Sequence, residues 1–490
     1  MYLRLLSIFI LCVFFLFTLL FNGYFKIVAI ILFILFLLYF IRDLFQDEEP
    51  AFKNIPVIGR LYHIMHNIFV QKVYDNHQVK YIKKMSREYE DISSFGVVVN
   101  NVKSFLLHSN FPNSEQAILN RVIIGAEQCS QPYSSNRINV SALGFGPVSK
   151  NMIMSISKAA KRGKFFLNTG EDGITKYHGN SNSDIIYQLG TGYLGCQTST
   201  HYLDRKKFKQ KCLSYNVSMI EVKISQGGKP GLGGNLPADK VTSEISLIEN
   251  VPKNKSVITK PYHKEFSNWK SLLYFLEELR QLSEGKPVGI KLAIGSLEEY
   301  KKLFDNISAV GSYPDFITID GAEGGSGASS YNFFEHVGMP LIDSLIVTKL
   351  LLEDINKKNI IKIIVSGKIS TAYQMVEYFA LGADMCSMAR AIMISAGCVQ
   401  ANRCHVGNCP AGIATQNNFT NNLINVDVTS NLIFNYHKGL NNDIKKLLDA
   451  MSIKSIDELN INTFFILDNH KVNPLYDKID NWKKILKDIK

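Results

Sequence analysis

The sequence predicts an α/β protein in which a (β/α)8 TIM-type barrel is preceded by an N-terminal two-helix transmembrane hairpin. Three observations support this fold. Eight short apolar runs rich in β-branched residues recur between residues 138 and 388, and amphipathic segments of helical period fill several of the gaps. Two nearly uninterrupted apolar runs also occupy the first 41 residues. Repeated strand–helix alternation is typical of a parallel barrel.

The N-terminal apolar runs extend from Leu5 to Phe21 and from Ile27 to Ile41, with Asn22, Gly23 and Lys26 between them. Each run is at or just below the length that spans a membrane, and the residues between them are typical of a turn. More basic residues flank the outer ends than the turn, so we predict a hairpin in the inner (cytoplasmic) membrane with the body in the cytoplasm. A cleaved signal peptide and one bent helix are the alternatives. The second run argues against a signal peptide, because it acts as a stop and no small-residue cleavage site precedes it.

The composition favours a packed globular body with this apolar addition. The chain has 490 residues, of which 46% are hydrophobic and 20% charged, and its formal net charge is +11. The lysines are scattered among Asn, Asp and Glu, which argues against a nucleic-acid partner and favours a solvated surface near anionic lipid. Three of the eight cysteines lie within twelve residues, a spacing that indicates metal ligation rather than disulfides.

The predicted elements divide the chain into a transmembrane hairpin (1–48), a lead-in segment (49–135), the barrel (136–425) and a C-terminal helical tail (426–490). The eight predicted strands are Ile138–Ala142, Phe165–Asn168, Ile185–Leu189, Met219–Ser225, Val288–Ala293, Phe316–Asp320, Ile361–Val365 and Met385–Met388. The predicted barrel helices are Lys150–Lys161, Trp269–Leu282, Leu297–Ile307, Leu341–Asn356 and Thr371–Leu381. No helix is evident in Glu171–Asp184. The long interval Gln226–Lys286 indicates an inserted active-site loop with extra helices.

The last two strands end in groups suited to a phosphate. In barrels, the loops after strands seven and eight commonly bind phosphate, and ligands in general bind at the carboxyl ends of the strands. Ser366, Gly367 and Lys368 offer a hydroxyl, close backbone N–H groups and a cation, while Ala389 and Arg390 follow the eighth strand. An ordinary strand–helix turn explains Gly367 equally well.

Charged residues also occupy the middle strands. Lys291 lies inside an apolar strand, where a lone cation is costly unless it meets an anion. Glu221 and Lys223 alternate on the fourth strand, although a lysine that reaches the surface is as plausible for Lys223. After the sixth strand, Glu323 lies in a loop with four glycines that permit close approach to a flat ligand.

The cysteine group has the spacing C-x5-C-x4-C. Cys398, Cys404 and Cys409 lie on a turn-rich segment that continues into Pro410. Three thiolates suit an iron–sulfur cluster, and zinc with His405 as the fourth ligand is the rival. The spacing alone leaves both open.

Several of these segments resemble the FMN-binding domain of glutamate synthase. The resemblance lies in Gln226–Pro237, in Gly324–Ala328 and in the cysteine segment from Cys409 to Gln416, and order and spacing agree from about Asn139 to Gln416. The apolar start resembles that of stand-alone, membrane-anchored members, the FMN-binding glutamate synthase family proteins.

The resemblance implies FMN and a 3Fe-4S cluster held by the three cysteines. It implies that 2-oxoglutarate is held over the flavin and that reduced flavin gives a hydride to 2-iminoglutarate, which forms glutamate. The implied catalytic residues are Glu221, Lys223, Lys291 and Glu323. The implied FMN-binding residues are Ala142, Gly144, Phe145, Gly146, Gln188, Lys291, Gly324, Gly325, Ser366, Gly367, Lys368, Ala389 and Arg390.

Some features depart from the family pattern. Tyr2 and the apolar runs stand where a glutaminase domain would begin, so we expect ammonia to come free or from a partner subunit. Glu323 replaces an aspartate, and Ser366-Gly367-Lys368 replaces an Asp-Gly-Gly turn. No nicotinamide-binding fingerprint is evident, so we expect electrons from a partner, either ferredoxin or a reductase subunit. The alternatives are an enzyme for another glutamate-like amine, similar to N-methylglutamate synthase, and a membrane-tethered electron-transfer protein.

Overall fold

A computed structural model describes residues 2–57, 59–60, 72–88, 104–112, 116–327, 329–468 and 471–489. Eight parallel strands, β1 to β8, close into a barrel in sequence order, and β8 pairs with β1. They are Ile138–Val140 (β1), Leu167–Asn168 (β2), Ile185–Leu189 (β3), Val217–Lys223 (β4), Val288–Leu292 (β5), Phe316–Asp320 (β6), Lys362–Ser366 (β7) and Met385–Met388 (β8). The predicted barrel is confirmed. Three strands, β3, β6 and β8, have the predicted ends, and the ends of the other five differ from prediction by at most two residues.

Helices cover the outside of the barrel. They are Lys150–Gly163, Arg205–Ser214, Trp269–Leu282, Leu297–Val310, Leu341–Asp354, Ala372–Ala380 and Arg390–Ser395. Local sequence sets several of their ends. The Asn268 side chain accepts a hydrogen bond from the Ser271 backbone N–H, and Gly311 ends Leu297–Val310 with a φ of 75°. As predicted, turns rather than a helix occupy residues 171–184.

The interior of the barrel holds a separate apolar cluster at the amino ends of the strands. Because side chains alternate along a strand, one face of each strand points inward. The strand residues of this cluster are Phe166, Ile186, Met219, Phe316, Ile364 and Met385. Val122 and Ile124 pack against them from a short hairpin, Val122–Ile124 with Tyr133–Ser135. This hairpin closes the amino end of the barrel.

The interval between β4 and β5 contains more than a loop. Two short strands, Asn235–Leu236 and Val257–Ile258, pair antiparallel, and a helix, Ser243–Glu249, lies between them. Thr242 caps this helix by accepting a hydrogen bond from the Ile245 backbone N–H. The predicted insertion is therefore folded, and it brings residues near 249 to the carboxyl end of the barrel.

The N-terminal helices Tyr2–Thr18 and Tyr24–Phe45 pack against each other. The rings of Phe14 and Phe36 lie 6.2 Å apart, and those of Phe15 and Phe33 lie 5.3 Å apart. By length and composition, Tyr24–Phe45 is able to cross a membrane, whereas the described apolar part of the first helix is shorter. The membrane hairpin stays a prediction.

The lead-in and the tail pack together outside the barrel. The lead-in contributes the helices Pro50–Asn54 and Asn76–Glu88, and the tail contributes Val426–Ala450 and Leu475–Asp488. The sequence predicts a lead-in helix from Gln71 to Glu88, and Gln71 lies outside the described residues. The tail is not helical throughout, because it contains two short strands. Phe464–Asp468 pairs antiparallel with Lys471–Pro474 on one side and with Ser104–Leu106 on the other. Strands this short give little periodic signal in the sequence.

Candidate active site

Glu221 occupies the centre of the barrel mouth and receives three hydrogen bonds from other strands. Its Oε1 accepts from Asn168 Nδ2 at 2.8 Å and from Gln188 Nε2 at 2.6 Å. Its Oε2 accepts from Thr318 Oγ1 at 2.6 Å. Three donors hold the carboxyl group in one orientation, so this side chain is a fixed part of the site.

Lys291 is a buried cation on β5, and it meets an anion, as its place in an apolar strand requires. Its Nζ lies 3.4 Å from Asp320 Oδ2, and only 5% of the residue is exposed. Burial lowers the pKa of Lys291, but the charges of Asp320 and Glu221 outweigh burial and raise the pKa overall. The same Asp320 oxygen accepts a hydrogen bond from Gly227 N at 3.2 Å, which ties the β4 loop to the pair.

A second charged group joins Lys223 to the loop after β2. Lys223 Nζ lies 2.6 Å from Glu171 Oε1, and Lys229 Nζ lies 3.7 Å from the same oxygen. Burial raises the pKa of Glu171, but Lys223 and Lys229 outweigh it and lower the pKa overall. The sequence assigns neither Glu171 nor Lys229 a role. Their pairing depends on a contact between separate loops, which no local pattern reveals.

Two further acids lie beside this group. Burial, and then the charge of Glu171, raise the pKa of Asp172 to about 7. Burial, and then the charges of Asp172 and Glu171, raise the pKa of Glu249 to about 9. A Cβ atom at Gly144 would lie 1.8 Å from Asp172 Oδ2, so glycine at this position is what lets the carboxyl group approach the β1 loop. Neither acid belongs to a motif that predicts a role for it.

Glu323 does not join the lysine groups. Its two carboxyl oxygens accept hydrogen bonds from Leu341 N at 3.2 and 3.0 Å, at the start of Leu341–Asp354. Burial raises the pKa of Glu323. Its backbone carbonyl accepts from Arg390 Nη2 at 2.8 Å. The structure therefore places Glu323 as a helix cap that also holds Arg390, and its predicted catalytic role stays a prediction.

Most of the predicted phosphate-binding residues lie close together. Gly367 has a φ of 136°, and a Cβ atom there would lie 3.3 Å from Gly321 N. Ser366 Oγ lies 3.1 Å from Ser141 Oγ. The buried hydroxyl of Ser387 has no hydrogen-bond partner among the described residues. Gly321 N donates to the Ser366 carbonyl and Gly324 N to the Gly321 carbonyl, so the hydroxyl of Ser387 is the group among these residues that suits an anionic ligand.

Lys368 is directed elsewhere, since its Nζ lies 3.1 Å from Glu335 Oε1 and the side chain is 33% exposed. Gly325 lies beside Arg390, because a Cβ atom there would lie 3.1 Å from Arg390 Nη1. Phe145 is buried against the Tyr177 ring, with 5.0 Å between ring centroids. The remaining predicted residues of the mouth are Ala142, Gly146, Gly324 and Ala389.

The three cysteines of the C-x5-C-x4-C segment lie near one another. Burial, and then the neighbouring Cys409 and Cys404, raise the pKa of Cys398 to about 12. Lys240 Nζ donates a hydrogen bond to the Cys404 carbonyl at 2.5 Å. Within the described ranges, however, no three His, Cys, Asp or Glu side chains are arranged to hold a metal ion. The assignment of cluster ligands stays a prediction.

The segment that follows the apolar helices packs against the cysteine segment and forms hydrogen bonds with it. Asn54 Nδ2 donates to the Pro410 carbonyl at 3.1 Å, and a Cβ atom at Gly397 would lie 2.7 Å from Pro50 Cδ. The Tyr74 backbone N–H donates to Gln400 Oε1 at 3.0 Å. The lead-in is therefore part of the structure around the cysteines.

A cavity of about 300 Å³ lies at the opposite, amino end of the barrel, and its lining includes Arg121, Arg137, Asp315 and Lys362. None of the strand-end groups described above lines it. We assign the site to the carboxyl end, where the buried charges and glycines converge.

A closed parallel barrel whose carboxyl-end loops carry buried lysines and carboxylates is the architecture of a (β/α)8-barrel enzyme. The sequence model described as a conserved region in glutamate synthase matches residues 63–454. The chain therefore belongs to the glutamate synthase family, a family of oxidoreductases.

Individual relatives agree with this assignment. The chain is 31% identical over 477 residues to the glutamate synthase large subunit-like protein YerD of Bacillus subtilis, covering 86% of this chain and 90% of that protein. It is 32% identical over 323 residues to the archaeal glutamate synthase (NADPH) of Methanocaldococcus jannaschii, covering 66% of this chain. The chain spans 60% of the length of that relative. Among solved structures, the flavin-binding domain of baker's yeast flavocytochrome b2 aligns over 82% of each chain at 13% identity and a TM-score of 0.46.

Proposed function

We propose that this chain is an FMN-dependent, glutamate synthase-like oxidoreductase that reduces 2-iminoglutarate, formed from 2-oxoglutarate and ammonia, to glutamate. The observation that carries the proposal is the buried Lys291 beside Asp320 and Glu221 at the barrel mouth. A cation in that position is suited to a substrate carboxylate and to negative charge that develops on a flavin ring during reduction.

The residues present fit FMN. The partnerless hydroxyl of Ser387 and the guanidinium of Arg390 supply donors for its phosphate. Gly144 and Gly325 let Asp172 and Arg390 approach the backbone of the mouth closely. When bound, FMN supplies hydride transfer.

The charged groups then position the substrate. Lys223 and Lys229 share the single carboxylate of Glu171, so a substrate carboxylate finds cations there in addition to Lys291. The hydrogen bonds from Asn168 and Gln188 fix Glu221 and keep the centre of the mouth rigid. The Asp172 carboxyl group, whose pKa is about 7, is able to hold or release a proton near neutral pH.

A 3Fe-4S cluster would be held by Cys398, Cys404 and Cys409, and it would carry electrons from a ferredoxin or a reductase subunit. Three neighbouring thiols on one turn-rich segment are the donor set that such a cluster uses. Burial raises the pKa values of the Cys398 and Cys404 thiols, so ligation would have to displace their protons. We further propose that Tyr24–Phe45 anchors the protein in the inner membrane, with the barrel in the cytoplasm.

Anaerobic purification tests the cofactors, because absorption spectra report flavin and electron paramagnetic resonance reports the cluster. The reaction is tested with 2-oxoglutarate, ammonium chloride and reduced methyl viologen. We expect glutamate from the wild type and from Lys302→Met, an exposed control, but little from Lys291→Met. Colourless protein, or equal activity of the two variants, contradicts the proposal.

The second candidate is an enzyme for another glutamate-like amine, and the unpaired carboxyl group of Glu249 favours it. The same assay with methylammonium chloride separates the two. Product from methylamine without glutamate from ammonia supports the second candidate. If cells that carry Lys291→Met keep the function of the protein, the chain is instead an electron-transfer protein.

A further inference from the structure

Glu249 is the most unusual buried group at the barrel mouth. It ends the helix Ser243–Glu249, and its backbone carbonyl accepts hydrogen bonds from Gly195 N at 3.0 Å and Gln197 Nε2 at 2.7 Å. The backbone is therefore fixed. The side chain is 0% exposed, and neither carboxyl oxygen has a hydrogen-bond partner among the described residues.

A buried carboxyl group without donors is costly in either protonation state, so such groups normally meet a ligand or a partner. The nearby cations are already engaged. Lys223 and Lys229 face Glu171, and Lys240 donates to the Cys404 carbonyl. Nothing in the described part of the chain neutralises Glu249.

The position of Glu249 connects it to the substrate side of the mouth. A Cβ atom at Gly146 would lie 3.4 Å from Glu249 Oε1, so this carboxyl group lies against the β1 loop. Asp172 and Glu171, on the β2 loop, act electrostatically on Glu249. Glu249, Asp172 and Glu171 therefore form an acidic side of the mouth, and the charges of Lys223, Lys229 and Lys240 also act on Asp172.

We propose that Glu249, with Asp172, binds a protonated nitrogen, either a free ammonium ion or the amino group of an amine substrate. The N–H donors of the bound ammonium group would donate hydrogen bonds to the two oxygens of Glu249, and its positive charge would offset the negative charges of Glu249 and Asp172. The proposal rests on the proposed function in placing the nitrogen-bearing substrate at this mouth. It makes Glu249 a specificity residue for the nitrogen, with the lysines holding the carboxylate end.

Thermal unfolding of the purified full chain, without substrate turnover, tests the site. The salts are ammonium, methylammonium, tetramethylammonium and sodium chloride at equal ionic strength. We expect ammonium or methylammonium to raise the unfolding midpoint of the wild type and of Glu298→Gln, an exposed control, more than the other two salts do. In Glu249→Gln, we expect the apparent affinity to fall about tenfold or more.

Stabilisation by ammonium alone identifies the free ion, and stabilisation by methylammonium as well identifies an amine. If ammonium and tetramethylammonium act alike on the wild type, the proposal is wrong, whether or not the variant folds. It is also wrong if Glu249→Gln responds as the wild type does. Because no flavin reduction enters this experiment, its failure is separate from a failure to form glutamate.

Discussion

The Lys291–Asp320 pair gives the sharpest test of the site. Lys291→Met removes the cation and leaves Asp320 and Glu221, both buried, without it. Removing one partner of a buried pair costs about 3–5 kcal/mol of unfolding free energy. Asp320→Asn costs less, about 1–3 kcal/mol, because Glu221 still faces Lys291 and an amide oxygen still accepts from Gly227 N.

The double variant Lys291→Met/Asp320→Asn removes both charges. We expect the double variant to lose less unfolding free energy than the two single variants lose together, by about 1–3 kcal/mol. Urea unfolding of the purified full chain measures all three variants, with Lys302→Met as a surface control that stays within about 0.5 kcal/mol of the wild type.

The same variants report on function. In Lys291→Met, we expect kcat to fall by about 10²–10³-fold, since the variant removes one fixed charge from the site. A loss of less than about 1 kcal/mol in Lys291→Met, together with additive single losses, would refute the view that this pair is a buried, coupled unit. Unchanged kcat would refute its place in catalysis.

Further predictions follow from other features. Burial, and then Glu171, raise the pKa of Asp172 from 3.8 to about 7, so the folded chain holds this proton more tightly than the unfolded chain. The contribution of this proton to the free energy of unfolding is complete below about pH 4 and is lost as the pH rises to about 7. In Asp172→Asn, the free energy of unfolding measured with urea should fall less over this pH range. Gly144→Ala should cost about 1–3 kcal/mol and lower the flavin content, measured by absorbance, because its methyl group meets Asp172. Cys398→Ser should abolish the paramagnetic signal and bound iron, whereas Cys129→Ser should keep both. Removal of residues 1–41 should shift the protein from the membrane pellet to the supernatant on fractionation.

The barrel could be predicted from the sequence because each strand is short, apolar and followed by glycine or charge. The position of Lys291 within the apolar run Val288–Leu292 also indicated an anionic partner, which is Asp320. Strand ends were less predictable. Val217 pairs with Ile185 next to an irregularity in the β3–β4 register, and the sequence pattern contains no sign of it.

The acidic side of the mouth could not be predicted. Glu171 acquires its partners from the β4 loop, and Glu249 lies at the end of a helix inside a long insertion. Such groups come together through tertiary contacts, and their environment depends on burial that no periodicity encodes. Glu323 is the opposite case. Its glycine-rich loop suggested a ligand-binding role, but in the structure its carboxyl group caps the start of a helix.

The hairpin Val122–Ile124 with Tyr133–Ser135 has a kinetic consequence. With Val122 and Ile124 it seals the amino end of the barrel against the inner apolar cluster, so small molecules reach the interior through the opposite rim. Substrates and product then enter and leave through the same opening. Product release therefore has to precede the next binding event, and the loops around the opening affect turnover as directly as the catalytic groups do.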